Sequence, residues 1–523
     1  SNWQVVFEAL KVINLLVIRV SPSNRNSKAH RNPTLAEKLY CLGMQNKLSK
    51  FVETNTQSLQ TEVECELLAL SAVVQMWGEK QEEVKASLPE VWLLPNLSKV
   101  LRAPEPSMQT VALVLIGGIL RLPEAGQLVG ATNSMLAPWQ QHGLFQSLLR
   151  ELGTPKPSPF ISALLDLATI YADYNFRMDS SHVAGMTASL LQMLSQPHTA
   201  FSIARGLRIL SLLVSHSIDM FKELDGLSTV ISLTIKELDA YNSDPRTVYL
   251  LKSALRLIRI SLNKWEQTPN IPSEQVRTLF DSGLLRSIKA SFAKKKFEIF
   301  EPALHLLITL INDQPGLIPE LINEGVVIEA VNAIEGEVPG DAKLVGVILK
   351  FLVGVSLHRE GVDVLENSSC VGCALQALGT VQDSIISNEL AISIGENLQE
   401  LMGQVPGIRE KAVQGCITLI NKLQSETPSS KQVFFTQLNN IGRLLSMIFN
   451  FSNELIRGFL DSGGIDSFLA LFKLPILPLT YSNEYHSVLS CFKSVPVNLT
   501  PLVLTKVLEA LNQQLAILED ITG

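Results

Sequence analysis

The sequence predicts an all-α repeat protein, and three observations carry that prediction. A glycine-centred phrase recurs at a near-constant interval, apolar residues fall at helical rather than strand spacing, and strand and hairpin signals are almost absent. The chain has 523 residues, of which 46% are hydrophobic and 18% charged. A single core stops growing at roughly 250–300 residues, so a chain of this length builds its core in pieces.

The phrase is a short helix, a small or polar pair, a glycine and then an apolar helix. It appears around Gly143, Gly185, Gly226, Gly283, Gly325, Gly372, Gly415 and Gly464. The successive intervals are 42, 41, 57, 42, 47, 43 and 49 residues. Armadillo and HEAT repeats run at roughly 40–47 residues. The long interval contains Asn242, Ser243, Asp244 and Pro245, which are turn formers and supply an inserted loop. Two weaker copies near Gly43 and Pro95 bring the expected total to about nine units. Each glycine is expected to turn the chain in a left-handed conformation that only glycine adopts without strain.

The stretch 316–357 shows the parts of one unit. Pro315-Gly316 breaks the chain, Leu317 to Asn323 forms a short helix, Gly325 turns it, and Val326 to Ile334 forms a second helix. Pro339 and Gly340 make the next turn, and Lys343 to Leu357 forms a long third helix. In that third helix Leu344, Val347, Ile348, Phe351, Leu352 and Val355 share one face. Short, short, long with a glycine corner is the armadillo pattern. The expected fold is therefore an armadillo/HEAT-type α-solenoid, a right-handed superhelix of about nine three-helix repeats. No single unit can bury its own faces, so stacked neighbours supply the core. Residues 1–240 and 241–523 are expected to form two continuous repeat regions, with no long flexible linker between them.

Composition narrows the function. The longest apolar run, Val111 to Leu120, is about half of a bilayer-spanning helix. The apolar stretch from Val5 to Val20 is punctuated by Glu8, Lys11 and Arg19, as an amphipathic helix would be and a signal peptide would not. Membrane insertion is not expected. The opening Ser1-Asn2 reads as a cleavage scar on a piece of a longer protein. The six cysteines, Cys41, Cys65, Cys370, Cys373, Cys416 and Cys491, mostly lie in apolar helical patterns. Reduced, buried thiols in a cytoplasmic or nuclear protein are the expectation.

Chemistry-bearing constellations are weak. Cys370-Val371-Gly372-Cys373 has the spacing of half a zinc site, but His358 and Cys416 do not make a second pair. The eight histidines are scattered singly, and no nucleophile sits in a recognisable signature. Gly117-Gly118 lacks a following Lys and suits close helix packing better than phosphate binding. No catalytic residue, metal site or cofactor is assigned.

The functional lead is a charge anomaly. Between Arg246 and Lys296 eleven basic residues face three acidic ones, a local balance of +8 in a chain of net charge −7. Lys252, Arg256 and Arg259 share one side of a helix whose apolar side is Leu251, Leu255, Ile258 and Leu262. With Lys264, Lys294, Lys295 and Lys296 they are the candidate partner-binding residues. By position the helix is a third helix, the element that lines the groove of armadillo repeats, so a basic stripe there would attract an acidic peptide or a nucleic acid backbone. The competing reading is a solvated face that merely keeps the surface soluble. Trp265, Phe280 and Phe292 are the aromatics noted nearby, too few for the stacking platforms of single-strand binding, so nucleic acid is the less favoured partner. The peptide-gripping Trp-x-x-x-Asn pair of one armadillo subclass occurs only as Trp92…Asn96, with Pro95 between them, which argues against a nuclear-import receptor.

A family resemblance rests on residues of about 220 to 365. They are Leu224-Asp225-Gly226-Leu227, Leu279-Phe280-Asp281-Ser282-Gly283-Leu284, Phe300-Glu301-Pro302-Ala303-Leu304, Asp313-Gln314-Pro315, Leu321-Ile322-Asn323-Glu324-Gly325 and Ser356-Leu357-His358-Arg359-Glu360-Gly361. This segment resembles the N-terminal armadillo-like region of the giant HECT-type ubiquitin ligases of the Mule kind. The resemblance implies a parent E3 ubiquitin ligase that carries ubiquitin on a cysteine of a C-terminal catalytic domain. Nothing in this chain matches that domain. The resemblance further implies a scaffold role in substrate recognition, with protein substrates or other parts of the same chain as partners and the ubiquitin machinery reached through the parent. A stand-alone armadillo adaptor or tether, and a solenoid binding acidic peptides or nucleic acid, are the alternatives.

Overall fold

A computed structural model describes residues 109–110, 113, 148, 150–153, 158–173, 180–216, 218–241, 243–265, 273–336, 338–379, 387–425, 431–451, 453–471, 495 and 499–522. Gly143, the weak copies near Gly43 and Pro95, Gly117-Gly118, Trp92…Asn96, Val5–Val20 and Cys41, Cys65 and Cys491 lie outside them. Among the described residues every regular element is helical, and the protein is an all-α, armadillo-type solenoid. No helix among them is long and apolar enough to cross a membrane.

The chain divides into two compact units. The first contains residues up to Val230 together with Pro245–Lys264, and the second contains Ile231–Asp244 and everything from Trp265. In the first, α1 (Ser158–Asp173) packs on α3 (Ala200–His216), and α2 (Ser180–Leu194) packs on α3 and on the short α4 (Asp219–Glu223). Helix α5 (Gly226–Asp239) begins in this unit and continues into the second, and α6 (Pro245–Trp265) follows it.

The second unit shows the repeat most clearly. Its first helices are α7 (Ser273–Asp281), α10 (Ile318–Asn323), α13 (Arg359–Glu366) and α18 (Asn453–Asp461). The second helices are α8 (Leu284–Ala293), α11 (Val326–Ile334), α14 (Cys370–Gly379), α16 (Ile408–Ser425) and α19 (Gly464–Ala470). Each of these packs on the next, so they form one layer. The third helices, α9 (Phe300–Asp313), α12 (Ala342–Val355), α15 (Asn388–Gln404) and α17 (Lys431–Phe451), pack on one another in the same serial way as a second layer. A final helix, α20 (Thr500–Thr522), packs on α19. In α12 Leu344, Ile348, Phe351, Leu352 and Val355 of the expected face are buried, and Val347 is half-buried. Its start is fixed by Asp341, whose carboxylate accepts from the backbone N–H groups of Lys343 and Leu344.

Between first and second helices the chain turns over five residues with a common geometry. The turning residue has φ +86° at Gly283, +76° at Gly325, +72° at Gly463 and +49° at Asp225. Three of the four are glycine because this left-handed region disfavours a Cβ. The sequence reading put two of these corners one residue late, at Gly226 and Gly464, which are instead the first residues of α5 and α19. Their lack of a side chain has another cause. A Cβ at Gly226 would lie 2.5 Å from the Phe221 ring, and one at Gly464 would lie 2.5 Å from the Phe459 ring. The equivalent pairs at the other corners are Leu279 with Leu284 and Leu321 with Val326, all fully buried. One small volume is thus filled either by a ring opposite glycine or by two aliphatic chains.

Three further glycines assigned to corners are also corrected. Gly185 lies within α2, Gly372 within α14 and Gly415 within α16. Gly372 and Gly415 meet where α14 crosses α16, and a Cβ at Gly415 would stand 2.7 Å from the Gly372 Cα. They let two second helices approach backbone to backbone. Gly361, on α13, plays a related part, since a Cβ there would overlap the Val355 carbonyl oxygen.

The corner pairing gives a testable cycle. Gly226→Val is expected to lower stability by about 2 kcal/mol through overpacking. Adding Phe221→Leu, which recreates the aliphatic pair of the other corners, recovers at least half of the loss in thermal or urea unfolding. A double variant no more stable than the single one contradicts a shared volume.

Candidate binding surface

The predicted stripe lies on α6, and the sequence pattern explains its placement. Pro245 begins the helix, where its missing N–H costs nothing. Leu251, Leu255, Ile258 and Leu262 are fully buried, together with Leu250, Ala254, Leu257 and Ser261. Lys252 and Arg256 are exposed, while Arg259 and Lys264 are half-buried. Arg259 has interactions of its own.

Lys294, Lys295 and Lys296 belong to the other unit and do a different job. They close α8. The Lys295 N–H donates to the Phe292 carbonyl (2.8 Å) and the Lys296 N–H to the Ser291 carbonyl (3.1 Å). Those two bonds are the Schellman closure of a helix C-terminus, which ordinarily places glycine where Lys295 stands. Lys295 takes φ +51° there, and its ammonium lies against Gly336. The Lys296 Nζ sits 4.1 Å above the Tyr241 ring. Burial holds the Lys296 ammonium below its ordinary pKa range, and Lys294 adds to this while Asp239 and Glu298 oppose it. Only Lys294 of the three is exposed without such a role in view. Lys289, in the same basic segment, donates to the Glu324 carbonyl at the end of α10 (3.0 Å). Lys411 caps α13 in the same manner through the Ser368 carbonyl (2.7 Å) and the Glu366 carbonyl. Part of the local positive charge therefore neutralises helix C-terminal ends.

What the sequence reading missed lies beside Lys252. Tyr249, one turn earlier on α6, stacks on Phe201 of α3 with centroids 6.1 Å apart and planes 27° apart. Arg205 of α3 lies over the Phe201 ring at 5.9 Å and pairs with Asp166 of α1 at 2.5 Å. The same guanidinium donates to the Ser162 hydroxyl (3.0 Å) and carbonyl (3.3 Å). Three consecutive third helices of the first unit are thus joined by one ladder of side chains. Tyr249 was legible as an aromatic beside the stripe. Phe201, 48 residues earlier, carried no signal linking it to the stripe.

The cysteine pair is placed at the start of α14, with Cys370 buried and Cys373 half-buried. Burial pushes the Cys370 thiol up to about 12, and the Ser368 hydroxyl donates to its sulfur at 2.9 Å. Burial likewise pushes Cys416 up to about 12. Neither thiol is a nucleophile near neutral pH.

Residues 183–432 match a family model described as Domain of Unknown Function (DUF913). Over 331 residues the chain is 20% identical to the E3 ubiquitin-protein ligase TOM1 of Saccharomyces cerevisiae, an alignment covering 56% of this chain and 10% of that protein. The chain therefore spans about a tenth of the length of this curated relative. Similar solved chains include one from work on a phosphorylation switch controlling the interaction between cadherin and beta-catenin. It is 11% identical with TM-score 0.46, covering 94% of this chain and 96% of that one. A designed armadillo repeat protein is 16% identical with TM-score 0.32, covering 49% of this chain and 98% of its own.

Two measurements test these placements. Lys295→Gly is expected to raise stability by about 0.5–1 kcal/mol, because it relieves a left-handed non-glycine residue at a helix end. A lower melting temperature would show that the Lys295 side chain contributes more than its backbone costs. Iodoacetamide at pH 8 should modify Cys373 while Cys370 and Cys416 stay unmodified until denaturant is added, read peptide by peptide by mass spectrometry.

Proposed function

We infer that this chain is a non-catalytic scaffold region of a giant HECT-type E3 ubiquitin ligase of the Mule kind, holding protein substrates for a catalytic domain elsewhere in the parent. The observation that carries the reading is the agreement of the DUF913 match over 183–432 with the 331-residue similarity to a yeast E3 ubiquitin-protein ligase. The motifs at 224–227, 279–284, 321–325 and 356–361 fall within the matched segment. In the fold they form corners and helix elbows, whose demands fall on the stacking of repeats. Cytoplasmic and nuclear residence goes with the same reading.

The test is reconstitution of the full-length parent with ubiquitin, ATP, and activating and conjugating enzymes. The parent is expected to form a thiol-sensitive ubiquitin adduct and to modify co-purifying proteins. Deleting residues 1–523 should leave the adduct intact and reduce transfer to those proteins at least tenfold. A parent that forms no adduct, or a deletion that leaves transfer unchanged, contradicts the reading.

A further inference from the structure

The third-helix face of the first unit has a property that stacking does not require. Phe201 and Tyr249 are 52% and 36% exposed, whereas the core phenylalanines Phe160, Phe221, Phe292 and Phe300 are buried to 1% or less. Two aromatic rings in contact with each other and open to solvent form an apolar floor. The floor is held in place, because Arg205 over the Phe201 ring is itself fixed by Asp166 and Ser162. Seven residues on from Phe201 stands Arg208, and seven on from Tyr249 stands Arg256, so each lies on the same helix face as its ring. Arg208, Lys252 and Arg256 are all exposed. Between Arg246 and Asn263 α6 has no acidic residue.

We propose that this face binds an extended acidic segment of a partner protein, laying one aromatic or large aliphatic side chain on the Phe201–Tyr249 floor and pairing its carboxylates with Arg208, Lys252 and Arg256. Charge complementarity selects the occupant. Within the first unit, residues 246–264 of α6 carry five basic residues and no acidic one, in a chain of net charge −7. Exposed charges further apart than about 8 Å are screened at physiological salt, so a short acidic segment senses the local cations. A long polyanion such as RNA needs a longer run of cations than these, and the chain as a whole carries −7. The cations are also too few for a nucleic acid track, and the two rings are spent on each other rather than splayed to receive successive bases. Arginine favours carboxylates through its planar fork, and an aromatic floor adds anchoring surface at little entropic cost. From the preceding reading the proposal takes only that the chain holds protein partners. It does not require that the parent transfer ubiquitin.

The experiment pans a random-peptide display library against the 523-residue chain, with no ubiquitin component present. Enriched sequences are expected to combine several acidic residues with one bulky apolar residue. Fluorescence anisotropy of the most enriched peptide, made with a fluorescein label, should show binding that weakens at least tenfold with Lys252→Glu plus Arg256→Glu. It should also weaken at least tenfold with Phe201→Ser plus Tyr249→Ser. Lys294→Glu, an exposed cation of the other unit, should leave it within twofold. Unchanged circular dichroism melts certify each fold, and Arg208→Glu provides a further single-site test on α3. Enrichment of neutral or basic sequences overturns the proposal, as does no enrichment, binding indifferent to both double variants, or tighter binding of an oligouridylate than of the acidic peptide. Because the readout is peptide binding, its failure leaves the ubiquitin reading standing, and failure of the ubiquitin reading leaves this surface standing.

Discussion

The constraint on which the structure depends is that the helices bury their apolar faces largely against the neighbouring repeat. Phe351 and Leu352 of α12 are fully buried in a layer where α12 packs on α9 before it and α15 after it. The second helices do the same from α8 through α19. Stability in such an array is a sum of intrinsic and nearest-neighbour terms rather than the property of one core. Side chains on the outward part of the third helices are released from packing. They are free to carry charge and aromatic surface, and in the first unit they carry both.

Within that scheme the corner between first and second helices works by volume. At Phe221 and Phe459 the partner five residues on is glycine, and at Leu279 and Leu321 it is leucine or valine. Interiors are packed to crystal-like density, so neither pairing can be altered on one side alone. The backbone conformation is a separate requirement, met by glycine at 283, 325 and 463 and by Asp225 with φ +49°. At Asp225 the carboxylate accepts from the Ser228 hydroxyl at 2.7 Å, a local bond that helps offset the strain of a side chain in this region. Two physical demands, one on φ and one on volume, therefore produce glycines at adjacent positions.

This explains what could be read from the sequence and what could not. Helical periodicity and the repeat interval were legible because both follow from burial of one helix face per turn. The second helix at Val326–Ile334 and the long helix ending at Val355 lie within two residues of their expected limits. The glycine phrase was legible only as a phrase. Glycine between apolar residues looks alike in a left-handed corner, opposite a phenylalanine ring and at the Gly372–Gly415 crossing, and only the three-dimensional neighbour tells them apart. The basic side of α6 followed from spacing. That Lys295 and Lys296 close a helix end, and that Lys289 caps α10, depends on partners that spacing along one helix does not reveal. The Phe201–Tyr249 floor joins residues one repeat apart, and no local pattern marks such a pair.

Neighbour-to-neighbour burial is tested most directly by native-state hydrogen exchange on Phe351→Ala, which opens a cavity in α12 at a site buried completely. The expected result is faster exchange in α12 and in the helices packed on it, α9, α13, α14 and α15, with α1, α2 and α3 exchanging as in the unaltered protein. Uniformly faster exchange across every helix would show one global core and contradict a solenoid held together repeat by repeat.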